Sequence, residues 1–463
     1  MLCEMMKKHG VVVLAAGKGT RMNSRVPKVL HQICGREMVS LVVDTAMAVG
    51  LGPIAVVVPS EFEAIQKTLS ENVRYSVQSQ PLGTGHALLQ ARSVMADVDN
   101  ICVLSGDVPL VKSETLNSLV KTHFDRDSLI TILTATSSTP EGLGRVVRNS
   151  SGEITNVVEE MDIDEGTRNI FEINAGIYCF QSSWLWANLE TLKTSPNGEI
   201  LLTDLISTAA LQGRAAESVK AEDPEEALGV NTLLQLSQAE AILRQRILER
   251  WMLDGVEIRD PATAYIDFDV ELGHDTKVLP NTHIKGISRI GSESEIGPDT
   301  TIDASTIGDR CKIISSTVSA SVLEEGVGVG PYSNIRQGSH LKNGVHIGSY
   351  VEIKASRIGK GTKSGHFSYI GDADVGSNVN IGAGTVTCNY DGVRKNHTRI
   401  EDNAFIGSNT MLVAPVTVGT NASTGAGAVV TKDVKPGSQV LGVPARTRGD
   451  LTSKKNMDKG YDS

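Results

Sequence analysis

The sequence predicts an α/β domain with a mostly parallel sheet, joined by a long helix to a parallel β-helix. Three observations carry this prediction. Over the first 230 residues short apolar runs alternate with amphipathic stretches. From about residue 290 an aliphatic residue returns at every sixth position, a period that suits neither a helix nor a two-faced sheet. Between these regions lies a single long stretch of helical spacing, bounded by start and stop signals.

In chain order, Val11–Ala16, Ile54–Val58, Ile101–Ser105 and Leu129–Ala135 are continuous aliphatic runs and read as strands buried on both faces. Met38–Val49, Glu61–Leu69, Thr84–Met95 and Glu114–His123 carry helical spacing between them. Strand–helix alternation implies parallel pairing, and ligands of such sheets collect at the carboxyl ends of the strands. Asn231-Thr232 can cap the long helix, Leu234, Ala241, Leu248 and Met252 mark its apolar side, and Asp254-Gly255 stops it. The boundaries expected are therefore 1–233, 234–254 and 255–463.

The sixfold repeat runs through Ile290, Ile296 and Ile302, then Val329, Ile335, Leu341, Ile347 and Ile353, and finally Ile400, Ile406, Leu412, Val418, Thr424 and Val430. Each aliphatic should point to the axis, the glycines that follow suit the bends, and three hexads close one coil. The repeat breaks between Ile381 and Ile400, so Thr385–Thr398 is expected to leave the prism as a loop, and such ejected loops commonly carry function. From about Thr447 the tail is polar and expected to fray.

Composition narrows the function. The 463 residues hold 44 Lys+Arg against 54 Asp+Glu, a net charge of −10, which argues against a general nucleic-acid or anionic-membrane binder. Only 4% of residues are aromatic, so the cores must rely on Val, Ile, Leu and Ala. Cys3, Cys34, Cys102, Cys179, Cys311 and Cys388 form no C-x-x-C pair, which speaks against zinc and for reduced thiols. No apolar run reaches the roughly 18 residues of a membrane span. The short run after Lys7-Lys8 leads into glycines and not into a cleavage site, so a cytoplasmic location is expected.

The first chemical constellation follows the first strand: Leu14-Ala15-Ala16-Gly17-Lys18-Gly19-Thr20-Arg21-Met22, then Pro27-Lys28. Two glycines let backbone N–H groups approach phosphate oxygens, and Arg21 and Lys28 add charge. No Gly-Lys-Ser/Thr closes a Walker loop, and Met22 stands where a dinucleotide fingerprint needs a third glycine. The stretch resembles the sugar-phosphate nucleotidylyltransferases. Gln78, Leu82–Ala87, Ser105–Leu110, Gly142–Arg145, Glu159, Asn174–Gly176 and Gly229–Asn231 narrow the likeness to the uridylyltransferase half of a bacterial bifunctional family that makes UDP-N-acetylglucosamine. By that resemblance Leu14, Ala15, Ala16, Gly17, Lys28, Ser105 and Gly106 meet the nucleotide, and Gln78, Gly83 and Thr84 read uracil. Gly144, Glu159 and Asn174 hold the sugar, Asp107 and Asn231 bind one Mg²⁺, and Arg21 and Lys28 act at the phosphates. A sugar-phosphate oxygen attacks the α-phosphorus of UTP and pyrophosphate leaves, with no covalent nucleophile.

A second constellation interrupts a surface rich in Ser, Thr and Gly. Arg336 and Lys354 each follow a core isoleucine and stand 18 residues apart, one coil, so they should stack into a small anion site. His366 lies twelve residues past Lys354 and is suited to take a proton from an amine near neutral pH. With Asn389-Tyr390-Asp391-Gly392 these residues resemble the acetyltransferase half of the same family, a left-handed β-helix acting as a homotrimer. That resemblance assigns glucosamine 1-phosphate to Arg336, Lys354, Tyr369 and Asn380. His366 is then the base, oriented by Glu352, and Ala383, Asn389, Tyr390, Ser408 and Ala426 meet acetyl-CoA. The amine attacks the thioester directly. Better-known members carry a CoA-contacting arginine where this chain has Gly442, leaving Arg446 as the nearest replacement. By the same resemblance the product is expected to be a precursor for peptidoglycan and lipopolysaccharide, hence for cell wall and cell shape. The rival reading, a nucleotidylyltransferase with the β-helix as an oligomerisation or regulatory module, leaves His366, the paired cations and the ejected loop without a purpose.

Overall fold

The computed structural model describes residues 9–69 and 73–450, and the chain divides into two compact units, Met1–Leu243 and Arg244–Ser463. Cys3 and the tail beyond residue 450 lie outside the described residues.

The first unit is a nine-stranded sheet: β1 His9–Leu14, β2 Ile54–Val58, β3 Val73–Val77, β4 Asn100–Ser105, β5 Ile130–Thr136, β6 Arg145–Arg148, β7 Ile154–Val158, β8 Glu172–Gln181 and β9 Glu217–Lys220. The order is β9-β5-β8-β4-β1-β2-β3, with β6 beside β8 and β7 beside β6. The helices are α1 Met38–Ala48, α2 Glu63–Thr68, α3 Thr84–Gln90, α4 Ser113–Asp125, α5 Ser182–Leu189, α6 Asp204–Leu211 and α7 Leu233–Leu253. Alternation along β1 puts Val11 and Val13 in one core and Val12 in the other, so both faces of the sheet are covered.

All four strands read from sequence form, as does α1. The stretch Thr84–Met95 becomes α3 plus a 3-10 turn at Arg92–Met95. Strand β8 is not foreshadowed by the strand–helix alternation: it runs antiparallel to both β4 and β5 in the middle of the sheet. Its register against β5 shifts between Asn174 and Tyr178, a bulge that turns Asn174–Gly176 toward the carboxyl end of β4.

Helix α7 begins with a reciprocal cap. Thr232 Oγ1 accepts from Gln235 N at 3.2 Å, and Gln235 Oε1 accepts from Thr232 N at 3.1 Å and Asn231 N at 2.8 Å. Its buried residues are Ala239, Leu243, Ile247 and Leu248, whereas Leu234, Ala241 and Met252 are exposed. The expected apolar side was therefore misplaced: the 4-4 spacing of Ala239, Leu243 and Ile247 outweighs the single leucine at 234.

The second unit is the hexapeptide β-helix. Short parallel strands form three faces; one ladder, for example, runs from Glu271–Leu272 through Arg289–Ile290, Thr306–Ile307 and His340–Leu341 to Val416–Val418. Every aliphatic of the sixfold series is buried, from Ile290 to Val430. Two expectations change. The Ser and Thr residues are largely interior: Thr276, Ser333 and Thr362 are buried and donate to the main chain of the next coil, at 2.8, 2.5 and 2.7 Å. The glycines after the aliphatics serve close approach more than bending. A Cβ on Gly348 would stand 1.9 Å from Gly365 O, whereas left-handed corners are taken by residues such as Asn281, Asp299 and Tyr350.

The ejected loop is also shorter than expected. Val386–Cys388 stays in the prism, with Val386 opposite Met411 and Thr387 buried, so the chain departs only over residues 389–397. Thr385 and Thr387 keep their coil positions because their hydroxyls bond to the Gly382 and Gly371 carbonyls, at 2.7 and 3.1 Å.

Candidate active sites

In the first unit Leu14 and Ser105 are paired at the carboxyl ends of β1 and β4, and Gln78 follows β3 at the same edge. A cavity of about 560 Å³ opens there, lined by Leu14–Arg21, Lys28, Gln78, Gly83, Thr84, Ser105, Asp107 and Asn231 among others. Gly19 has φ +61°, and a Cβ on it would stand 2.6 Å from Lys28 Cβ, so glycine is required by conformation and by space. Gly106 N donates to Leu14 O at 2.9 Å, which tightens the turn leading to Asp107. Val230 N donates to Asp107 O at 2.8 Å, which brings Asn231 alongside.

Charge converges at this edge. Lys28 Nζ bonds Asp107 Oδ2, and also Asn231 Oδ1 at 2.9 Å, while Arg21 Nη2 reaches the same Asn231 oxygen at 3.0 Å. Two oxygen donors are thus arranged around one cation. That donor set fits a hard divalent ion that keeps waters and takes further ligands from phosphates. It does not suit an all-protein metal cage, and among the described residues no group of three or more His, Cys, Asp or Glu could hold a metal.

Gly144, Glu159 and Asn174 come together. A Cβ on Gly144 would lie 3.5 Å from Glu159 Oε2 and 3.7 Å from Asn174 Cβ, and Asn174 N donates to Gly144 O at 2.9 Å. Thr203 Oγ1 donates to Glu159 Oε1 at 2.9 Å; burial pushes the Glu159 carboxyl above its ordinary range, and the Thr203 bond opposes this. The adjacent Glu160 turns away to Arg145, at 3.1 Å.

On the β-helix, Ile335 pairs with Ile353, so Arg336 and Lys354 occupy neighbouring rungs as their spacing predicts. Around them Glu352 Oε1 accepts from Arg336 Nη1 at 2.6 Å, Lys354 Nζ lies 3.4 Å from both Asp372 carboxylate oxygens, and Asn389 bonds Asp372 and the Tyr369 hydroxyl. Two members escaped the sequence reading. Asp372 is the acceptor that steadies both Lys354 and Asn389, and 18 residues from Lys354 was the signal for it. Lys395 comes back from the loop to stand beside Lys354, and the closeness of the two like charges pulls the Lys395 ammonium below its ordinary range. A third cation at the anion site could not be inferred without the fold of the loop.

His366 does not join this cluster within one chain. It pairs with Ser349, five residues before Lys354 on the adjacent strand and beyond the corner at Tyr350, a separation on the order of 15 Å. Within one chain the Glu352 carboxylate is engaged by Arg336 through Oε1. The register shows another grouping. Lys363 pairs with Asn380, Asn380 with Phe405 and Phe405 with Ser423. Three residues further along each strand, His366, Ala383, Ser408 and Ala426 form one column up the corner, and Asn380 lies on this side. Ser423 opposite Gln439 extends the column to Gly442, whose φ of +90° suits glycine, while Arg446 is exposed and pairs with the neighbouring Leu441. The loop closes on itself through Asn396 N to Asn389 O at 2.6 Å, with Tyr390 exposed. Asp391 accepts from Val393 N, Arg394 N and Asn396 Nδ2, bonds that hold its carboxyl down at about 2.

Comparison with known proteins matches each half. Residues 11–177 fit the model of MobA-like NTP transferase domains, and residues 397–432 that of bacterial transferase hexapeptide repeats. Across nearly the whole chain it is 45% identical to the bifunctional protein GlmU of Heliobacterium modesticaldum, covering 94% of this chain and 95% of that one. The GlmU proteins of Syntrophomonas wolfei and Thermotoga maritima are 43% and 45% identical, covering 93% of this chain and 96% and 95% of theirs. The chain belongs to the GlmU family. It is accordingly a bifunctional transferase of UDP-N-acetylglucosamine synthesis, with a nucleotidyltransferase unit and a left-handed hexapeptide β-helix that transfers acetyl groups. No helix among the described residues is long and apolar enough to cross a membrane.

Proposed function

We propose that the β-helix acetylates glucosamine 1-phosphate from acetyl-CoA, and that the first unit then joins the product to the uridylyl group of UTP, releasing pyrophosphate. The observation that carries the second step is the meeting of Lys28, Arg21, Asp107 and Asn231 at the mouth of a glycine-rich turn. Asp107 and Asn231 hold Mg²⁺, which when bound neutralises phosphate charge and orients the triphosphate. Backbone N–H groups of Ala15–Gly17 meet the phosphates, and Lys28 and Arg21 stabilise the charge that grows as pyrophosphate leaves. Gln78, Gly83 and Thr84 read the base, Ser105 and Gly106 flank the nucleotide, and Gly144, Glu159 and Asn174 position the sugar.

For acetyl transfer, Arg336, Lys354 and Tyr369 bind the sugar phosphate with Asn380, and Lys395 adds a further charge. His366 removes the amine proton as the nitrogen attacks the thioester carbonyl. The thioester lies along the column of Ala383, Ser408 and Ala426, with Asn389, Tyr390 and Arg446 at its margins. Because His366 and the paired cations stand apart in one chain, we place the complete site between copies in a homotrimer built on the β-helix. An exposed ladder of Tyr332, Tyr350 and Phe367 along the His366 corner supports that contact: the two tyrosine rings stack at 5.3 Å, and all three are more than half exposed. A cytoplasmic setting agrees with the substrates and with the five free cysteines among the described residues.

The test supplies glucosamine 1-phosphate, acetyl-CoA and Mg²⁺-UTP, following CoA thiol and pyrophosphate separately, beside a His366→Ala variant. The variant should lose CoA release yet still form pyrophosphate from supplied N-acetylglucosamine 1-phosphate. No CoA release from the wild type with any amino-sugar phosphate would refute the acetyl-transfer reading.

A further inference from the structure

We infer that His86 is a positioning residue: it fixes which atom of the Gln78 amide meets the nucleobase, and so sets the choice of a pyrimidine bearing a ring N–H over one with a bare ring nitrogen. The inference deepens the proposal that this cavity takes UTP and rests on it.

Gln78 is 7% exposed, and its backbone N donates to Val58 O at 2.8 Å, so its side chain leaves a fixed point at the end of β3. Its Nε2 lies 3.1 Å from Gly83 O and 3.0 Å from His86 Nδ1. The Gly83 carbonyl can only accept, and it already takes the Ala87 N–H at 3.0 Å. The amide atom facing it must therefore be the nitrogen. The second amide hydrogen then points at His86 Nδ1, which must be unprotonated to accept it, so His86 is held as the neutral Nε2–H tautomer. On its other edge, Gln90 Nε2 donates to His86 O at 3.1 Å and stands 3.3 Å from His86 Nε2, a longer contact than the 3.0 Å on the Nδ1 side, which decides the tautomer.

Both amide hydrogens of Gln78 are thus used within the protein. Oε1 has no protein partner among the described residues, and Gln78 lines the cavity, so a fixed acceptor is presented to the base. Uracil offers N3–H to such an acceptor, whereas cytosine offers a lone pair and is repelled. Without the His86 acceptor, flipping the amide sacrifices only the Gly83 contact and turns N–H toward the base, which suits cytosine. The frame around this pair is rigid: Gly83 has φ +97°, a Cβ on it would stand 2.5 Å from Ile200 O, and Gly85 N donates to that same oxygen at 2.9 Å.

The test measures kcat/KM for pyrophosphate formation with UTP and with CTP, in wild type, His86→Leu and His86→Asn. Leucine removes the acceptor; asparagine can place Oδ1 where Nδ1 stood. The UTP-to-CTP ratio should fall by about tenfold or more in His86→Leu and stay within about threefold of wild type in His86→Asn. A folded His86→Leu variant with the wild-type ratio would overturn the inference. Should that variant fail to fold, ¹⁵N-histidine NMR of the UTP complex decides, with the His86 signals assigned by their loss in His86→Asn: a protonated Nδ1 refutes the inference and an unprotonated one supports it. A wild type that forms pyrophosphate with no nucleoside triphosphate would instead refute the uridylyl reading itself.

Discussion

His123 ties the stability of the first unit to pH. It is buried on α4, where Nδ1 lies 3.0 Å from Thr131 Oγ1 and Nε2 lies 3.2 Å from Asn100 Oδ1, partners that suit a neutral ring. Burial, helped by the nearby His9, pulls its pKa from 6.5 down to about 4. Between those values the unfolded chain takes up a proton that the folded one refuses. The stability this residue supplies is therefore whole above pH 6.5 and is lost as pH falls toward 4. A shift of this size corresponds to a loss of about 2 kcal/mol at pH 5 and about 3 kcal/mol below pH 4. Urea unfolding followed by the fluorescence of Trp184 and Trp186 on α5 reports on this unit. A His123→Gln variant, less stable at pH 7.5, should approach the wild type in midpoint as the pH falls to 5. Parallel midpoint curves for the two proteins across that range would refute the argument.

Gly19→Ala should lower kcat/KM for pyrophosphate formation by about a hundredfold, because the new methyl displaces Lys28, while CoA release is untouched. Lys354→Met should raise the KM for glucosamine 1-phosphate by about tenfold or more through loss of a charge-assisted contact, with uridylyl transfer unchanged. Adding EDTA should abolish pyrophosphate formation and spare acetyl transfer, read by the same pair of assays. An equal loss of both activities in any of these three cases would contradict the separation of the sites.

What the sequence disclosed follows from how local each signal is. The hexads were legible because every coil repeats one physical requirement, an aliphatic at the axis, and Arg336 and Lys354 could be stacked by counting. The turn from Gly17 to Lys28 was legible because phosphate cradles are built from contiguous residues. Strand β8 was not, since an apolar run does not state its direction; only pairing with β4 and β5 makes it antiparallel. The Lys395 contact depends on a loop whose fold is set by Asp391, and the distance between His366 and the cations depends on a corner at Tyr350 that no periodicity announces. Glu352 was given to His366 by resemblance, yet within one chain Arg336 lies closer to hand.

The loop at 389–397 also bears on how this protein can vary. Partners on successive coils stand 17 residues apart just before it, as in Lys363 and Asn380, and 25 apart across it on all three faces: Ala373 with Thr398, Asn380 with Phe405, Val386 with Met411. The extra residues enter and leave at a single corner, so the coils beyond resume their stacking as though nothing had been inserted. Lengthening or rewriting this excursion leaves the phase of the remaining solenoid untouched. Selection can therefore revise the chemistry carried at this corner as an independent module while the column that holds the scaffold upright is inherited unchanged.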